Sequence, residues 1–197
     1  MSNFKRNPYD KSIFEEFITE DLINKCITES YNYNKKYKLN PNWQKLLEKN
    51  SFDDPINGAK SDSNMKKFDR EIAKSFLPII KKLVGTHRVS ESGHYLYPPT
   101  GYMGWHTNYR VPCKRLYITY ATEDKKSFFR YIDPSTKEVI TDYDDKGITI
   151  REFDVTGRPP YLWHCVGSEC MRLSFGYQIR LNNLKMNFQV GGGTGTI

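Results

Sequence analysis

Up to residue 85 the chain repeats its apolar residues every three or four positions; from Arg88 onward it alternates over short runs broken by turn residues. Ile13, Phe14, Phe17, Ile18, Leu22, Ile23 and Cys26 share one face of a helix expected over residues 9–31. Asp21 is placed to cap residues 22–30, which would divide that stretch into two shorter helices. A short helix is expected around residues 43–47, inside a stretch made irregular by Asp53-Asp54-Pro55 and Asn57-Gly58. A second amphipathic helix is expected over residues 63–84. Phe68, Ile72, Phe76, Ile79, Ile80 and Leu83 line its apolar side, with Ser63 as cap, Pro78 as kink and Gly85 as stop.

Strands are expected over residues 88–97, 101–106, 115–120, 127–132, 148–153, 162–165 and 172–179. Turn clusters separate them: Pro98-Pro99-Thr100-Gly101, Asp133-Pro134-Ser135, residues 142–147 and residues 157–160. Short strands at this spacing point to a barrel or a double-sheet sandwich. Helices first and strands afterwards make the class α+β, with the helices against one sheet. The division is therefore a single domain over residues 1–190, with helical support in 1–85, a strand core in 86–181 and a glycine-rich flexible tail at 191–197.

A length of 197 residues suits one domain with a real core, and 14% aromatic content is unlike a disordered chain. No apolar run approaches the roughly 18 residues of a membrane span. The first eleven residues are polar and lack the apolar centre of a secretory signal, so a cytoplasmic protein is expected. The four cysteines, Cys26, Cys113, Cys165 and Cys170, form no Cys-x-x-Cys pair, which argues against a zinc knuckle. In a reducing compartment Cys165 and Cys170 are expected to stay unbridged. The net charge of +7 is compatible with polyanions, yet Lys35-Lys36, Lys66-Lys67 and Lys81-Lys82 read first as solvated helix faces.

The chemistry concentrates in Gly104-Trp105-His106-Thr107-Asn108, in Trp163-His164, and in Arg172-Leu173-Ser174, which begins eight positions after His164. In a strand, His106 and Asn108 point to the same side, as do Arg172 and Ser174. Two histidines and an oxygen donor on one face can hold a metal while leaving other positions open. Trp105 and Trp163 each precede a histidine and so face away from it, as core packing. His87 and His94 read as ordinary structural histidines.

This pattern resembles the 2-oxoglutarate- and Fe(II)-dependent oxygenases, whose motif is His-x-Asp/Glu, a distal His, and an Arg for the co-substrate. Residues 95–106 and 128–131 are also similar to small phage-encoded members, which implies the cytoplasm of a bacterial host. The resemblance implies a double-stranded β-helix, a jelly-roll and cupin relative, with supporting N-terminal helices. It implies Fe(II) as metal and 2-oxoglutarate as co-substrate, in the hydroxylation of a substrate C–H bond. His106, Asn108 and His164 would form the catalytic metal site. Arg172 and Ser174 would hold the far carboxylate of 2-oxoglutarate, a guanidinium fork being matched to a carboxylate, with Tyr117 as a further candidate.

Asn108 stands where that motif has a carboxylate. A neutral amide oxygen leaves more charge on the metal and binds it less tightly. Three readings follow: weak ligation by Asn108, which we favour; no ligation, with an extra open position; or loss of the metal. Asp133, Asp142, Asp144 or Asp145 could bring a carboxylate from a loop. The competing function is a non-catalytic binding or structural module that keeps the β-helix shell. A nucleic-acid-modifying oxygenase is a third reading, suited by charge and aromatics. Arg172 and Arg180, however, do not match the arginine spacing of the demethylase branch. A protein side chain or a metabolite is as good a substrate class, and no membrane partner is expected.

Overall fold

Alternating inward and outward residues from Val89 onward build two antiparallel sheets that face one another. The computed structural model describes residues 4–31, 42–48, 63–86, 88–108 and 112–180; His87, Lys35-Lys36 and the 191–197 tail lie outside them. With strands numbered in chain order, the larger sheet runs β1 (Lys5–Arg6), β9 (Gly147–Val155), β6 (Cys113–Ala121), β11 (Arg172–Ile179), β4 (Val89–Tyr97), β3 (Lys66–Lys67). The smaller runs β2 (Ser63–Asn64), β5 (Gly101–His106), β10 (His164–Ser168), β7 (Ser127–Ile132), β8 (Val139–Tyr143). The chain changes sheet at most connections after β4, so ladder partners such as β4 and β11 are distant in sequence. This is the winding of a double-stranded β-helix, a jelly roll, as expected.

The helices cover the outer face of the larger sheet. Leu173, Phe175, Tyr177 and Ile179 of β11 meet Phe14, Ile18, Cys26, Phe68, Ile72, Phe76 and Ile80 in one core. The alternate residues of β11 point between the sheets, where Phe129, Phe153, Val166 and Tyr97 form a second core. A third cluster coats the outside of the smaller sheet, around Trp43, Leu47, Tyr102, Trp105 and Trp163. Gly167 makes room for it, since a Cβ there would lie 2.5 Å from both the Trp43 and Phe128 rings.

Several local expectations change. The first helical stretch is two helices, α1 (Ser12–Glu15) and α2 (Glu20–Tyr31). Thr19 rather than Asp21 makes the cap, its Oγ1 accepting from the Leu22 amide at 3.3 Å. α3 (Trp43–Leu46) forms where a short helix was expected. The expected helix over 63–84 starts later. Residues 63–64 and 66–67 are edge strands pairing with β5 and β4, and Asp69 caps α4 (Arg70–Ser75) through the Glu71 amide at 2.9 Å. The chain breaks at Phe76 and resumes as α5 (Leu77–Val84), with Pro78 in its first turn and Gly85 ending it at φ 68°. Residues 139–143, unassigned in sequence, form the edge strand β8, which takes in Asp142 from the expected turn. All four cysteines are buried and unbridged. Among the described residues no helix is long and apolar enough to cross a membrane.

Candidate functional site

His106 ends β5, His164 begins β10, and the two are register partners. Their ring centroids lie 4.1 Å apart. The register then slips: His164 pairs with His106, but Val166 pairs with Met103, so β5 carries an extra residue at Gly104-Trp105. Simple alternation from Gly104 therefore fails. Met103 and His106 both face the space between the sheets, while Tyr102 and Trp105 pack on the outer face, where the Trp105 indole donates to the Leu47 carbonyl at 3.2 Å. Trp163 packs there too. The Pro98–Gly101 turn serves the strand connection: a Cβ at Gly101 would lie 2.7 Å from the Pro98 carbonyl oxygen.

Each imidazole is oriented by backbone. His106 Nδ1 lies 2.8 Å from the Gly104 carbonyl and His164 Nδ1 lies 3.1 Å from the Leu162 carbonyl. A carbonyl only accepts, so both Nδ1 atoms carry the proton and both Nε2 atoms present a lone pair. Burial depresses both pKa values, and the neighbouring His106 ring and Arg115 depress that of His164 further, against the Leu162 bond. Phe129 stacks on His164 at 5.1 Å. The pair is thus held neutral, as metal ligation requires.

Asn108 lies two residues beyond His106. Its Nδ2 donates to Tyr117 Oη at 3.1 Å and stands 3.3 Å from His164 Nε2. His106, Asn108, His164, Tyr117 and Ser174 all line one cavity of about 230 Å³, completed by Tyr95, Tyr97, Met103, Val166 and the Ser92-Gly93 and Gly176 stretch. Among the described residues no Asp, Glu, Lys or Arg lines it. Gly93 and Gly176 are partners across β4–β11, and a Cβ on Gly93 would meet the Tyr95 ring at 2.9 Å. His94 lies on the other face of β4, against Phe68.

Arg172 stands behind this wall. It is register partner of Tyr97, and its Cζ lies 5.0 Å from the centre of the Tyr97 ring. Its Nε donates to Asp144 Oδ2 at 2.9 Å and its Nη2 to Thr119 Oγ1 at 3.2 Å, while buried Nη1 has no partner among the described residues. Asp144 is fully buried and also accepts from Ser127 and Arg151. Burial alone would raise its pKa, but the charges of Arg151 and Arg172 and these hydrogen bonds hold it well below the ordinary carboxylate range.

The loop carboxylates are therefore committed elsewhere. Asp142 pairs with Arg6 and Arg151, Asp145 with Arg6 and Lys11, and Asp133 accepts from Ser135 in the β7–β8 turn. Among the described residues no three His, Cys, Asp or Glu side chains gather as a metal site, so two histidines and an amide are what this cavity offers. The sequence reading offered Asp144 only as a loop carboxylate for the metal, and missed its pairing with Arg172 together with Thr119, Tyr97 and Arg115. Arg115 follows from strand alternation two residues before Tyr117, and its buried Nε has no partner among the described residues. The place of Asp144 beside Arg172 carried no such signal, since only folding brings the two together.

No protein-family model matches the chain, and no relative was found among curated proteins. Solved structures do match. A Pseudomonas putida prolyl-4-hydroxylase aligns over 93% of this chain and 95% of its own, with TM-score 0.50 and 13% identity. A prolyl hydroxylase in complex with a hypoxia inducible factor peptide fragment from Trichoplax adhaerens aligns over 90% and 83%, with TM-score 0.45 and 14% identity. At such identity the first likeness shows the fold: the double-stranded β-helix on which that hydroxylase is built.

Proposed function

We propose that this protein is a 2-oxoglutarate- and Fe(II)-dependent oxygenase in which an amide takes the place of the third protein ligand. The observation that carries this reading is the pair of imidazoles whose Nδ1 protons are both committed to backbone carbonyls, leaving two Nε2 lone pairs at one cavity wall. The donor set fits a divalent metal: His106 and His164 would hold it through their Nε2 atoms, and Asn108 would join them with its amide oriented oxygen-inward. When bound, Fe(II) with 2-oxoglutarate supplies the activation of oxygen for C–H oxidation.

The chain itself does the binding and positioning. Tyr117 holds Asn108 through its phenol and narrows the cavity beside both histidines. Ser174 offers a hydroxyl on the wall nearest Arg172. Arg172, behind the Tyr97 ring, has a buried Nη1 with no partner among the described residues, and this would be the group to receive a carboxylate. The aromatic walls exclude water from the reacting centre.

The test is anaerobic titration with Fe(II) and 2-oxoglutarate, followed by the visible charge-transfer absorption of a metal–oxo-acid chelate. Absorption that is lost in His164→Ala and weakened in Arg172→Ala supports the reading. A peptidyl proline, the residue in the neighbour's name, is the first substrate to try against succinate release. The alternative is a non-catalytic binding module, favoured by Asp144, which already occupies Arg172, and by the neutral Asn108. Absence of metal uptake in both the wild type and Asn108→Asp would select it.

A further inference from the structure

Resting on the oxygenase reading for its chemistry, though not for its binding, we infer that Arg115 anchors a carboxylate of the substrate, which is thus an acid whose apolar part enters the cavity. Arg115 lies on β6 between Cys113 and Tyr117, which face the space between the sheets, while Leu116 and Ile118 face the helices. Tyr117 lines the cavity and holds Asn108. The register neighbours of Arg115 are Phe153 on β9 and Gln178 on β11. Behind the larger effect of burial, its charge draws His106, His164, Tyr95 and Tyr117 towards their deprotonated forms, and all four line the cavity. Arg115 therefore serves the imidazole end. Arg172 stands the other way along β6 from Tyr117, beside Thr119.

Arg115 differs from the other buried arginines in its lack of a counter-charge. Arg151 bonds Asp142 and Asp144, and Arg172 bonds Asp144. Arg115 is only 8% exposed, yet among the described residues no carboxylate lies within ion-pair distance of it. Its Nε is buried with no partner among the described residues, and its hydrogen-bonding neighbour is the Cys113 thiol, which burial keeps protonated and so neutral. An unpaired buried cation costs folding free energy, a cost that proteins tolerate where a ligand is to be met. Among the described residues no Asp or Glu lines the adjoining cavity, so the anion that satisfies Arg115 comes with the ligand. A guanidinium fork matches a carboxylate through two parallel N–H bonds. Arg115 stands just outside the lining, so the carboxylate projects past Tyr117 towards it. Tyr95, Tyr97, Met103 and Val166 wall the space of about 230 Å³ that takes the apolar remainder.

The experiment is thermal melting of the full chain in EDTA with benzoate, N-acetyl-L-proline or isovalerate, each compared with its neutral amide. EDTA keeps any metal from taking the carboxylate, so the result does not depend on the oxygenase reading. At least one acid is expected to raise the melting temperature with dose and to bind at least about tenfold tighter than its amide, as a hydrogen bond to a charged group is worth. Arg115→Gln should abolish that preference and melt no lower than the wild type, because it removes an unpaired buried charge. Arg115→Lys keeps the charge without the fork and should keep only part of the preference. The peptide N-acetyl-Ala-Glu-Ala-amide carries its carboxylate on a side chain; if it binds like the acids the substrate is an acidic residue of a protein, and if it does not the substrate is a small free acid. Acids and amides that bind equally, or a preference unchanged in Arg115→Gln, overturn the inference. So does an Arg115→Gln protein that melts well below the wild type or fails to fold, which would make the guanidinium part of the fold's own support. Acids that pass this test in a chain that takes up no Fe(II) would instead overturn the oxygenase reading and leave the anchor standing.

Discussion

His106 and His164 meet as register partners across the β5–β10 ladder, each with its Nδ1 directed at the carbonyl of the residue two before it in sequence, Gly104 and Leu162. The same local device thus orients both rings, and each needs only its own strand to work. Replacing either with alanine should lower apparent Fe(II) affinity more than about 100-fold, beyond the loss usual when only a group that orients a metal ligand is changed. Anaerobic calorimetry reads this directly. Retained uptake in both single variants would show that the metal, if any, binds elsewhere.

Asn108→Asp puts a carboxylate beside His164 Nε2 in the cavity that His106 also lines, and should raise Fe(II) affinity by about tenfold or more, equivalent to about 1.4 kcal/mol. The metal-free variant should melt lower than the wild type, because the new charge is desolvated without a partner. Saturating Fe(II) should then raise its melting temperature by more than it raises that of the wild type. Equal shifts would remove Asn108 from the metal's surroundings.

Stability should fall as the medium is acidified through the histidine range. Both imidazoles have folded pKa values below the ordinary value of about 6.5, chiefly through burial, so the unfolded chain takes up protons that the folded chain does not. Their contribution is complete above about pH 6.5 and is lost as pH falls towards the folded values. Asp144, also depressed, adds a second loss below about pH 4. Melting temperature against pH from neutral to acid tests both, and His164→Gln should flatten the upper part of the curve.

Arg151 is completely buried and donates to both Asp142 and Asp144. Arg151→Met should cost about 3–5 kcal/mol in urea unfolding, since it leaves buried carboxylates short of a partner. A loss below about 1 kcal/mol would mean that Arg6 and Arg172 suffice.

Gly167→Ala should cost about 1–3 kcal/mol through overpacking, because the new methyl meets both Trp43 and Phe128 at 2.5 Å. A simultaneous Trp43→Leu change should recover part of that loss, measured as non-additivity in a double-mutant cycle.

The strands that carry the site were legible because period-two alternation survives single-sequence reading: residues 101–106, 127–132 and 172–179 form β5, β7 and β11 with the expected bounds. The two-residue edges β1, β2 and β3 were not, since two residues carry no period and their pairing comes from β9, β5 and β4. Residues 63–67 read as helix because Ser63 offered a cap to the apolar series that begins at Phe68. Within the site, His106, Asn108, His164, Tyr117 and Ser174 line one cavity, although the alternation that placed Gly104 beside His106 fails at the β5 bulge. Arg172 was placed on the right face but not in its surroundings, because Asp144 reaches it across 28 positions of sequence. The bulge at Gly104 was equally hidden, being a property of the ladder and not of either strand.

Strand β11 has no idle face. Leu173, Phe175 and Tyr177 build the core beneath the helices, while Arg172, Ser174 and Gly176 serve the cavity side. Deleting or inserting one residue here would exchange the two sets, burying a guanidinium under the helices and thrusting aromatic rings into the cavity. Helix-side core and cavity wall are therefore written in interleaved letters, and neither can drift along this strand without disturbing the other.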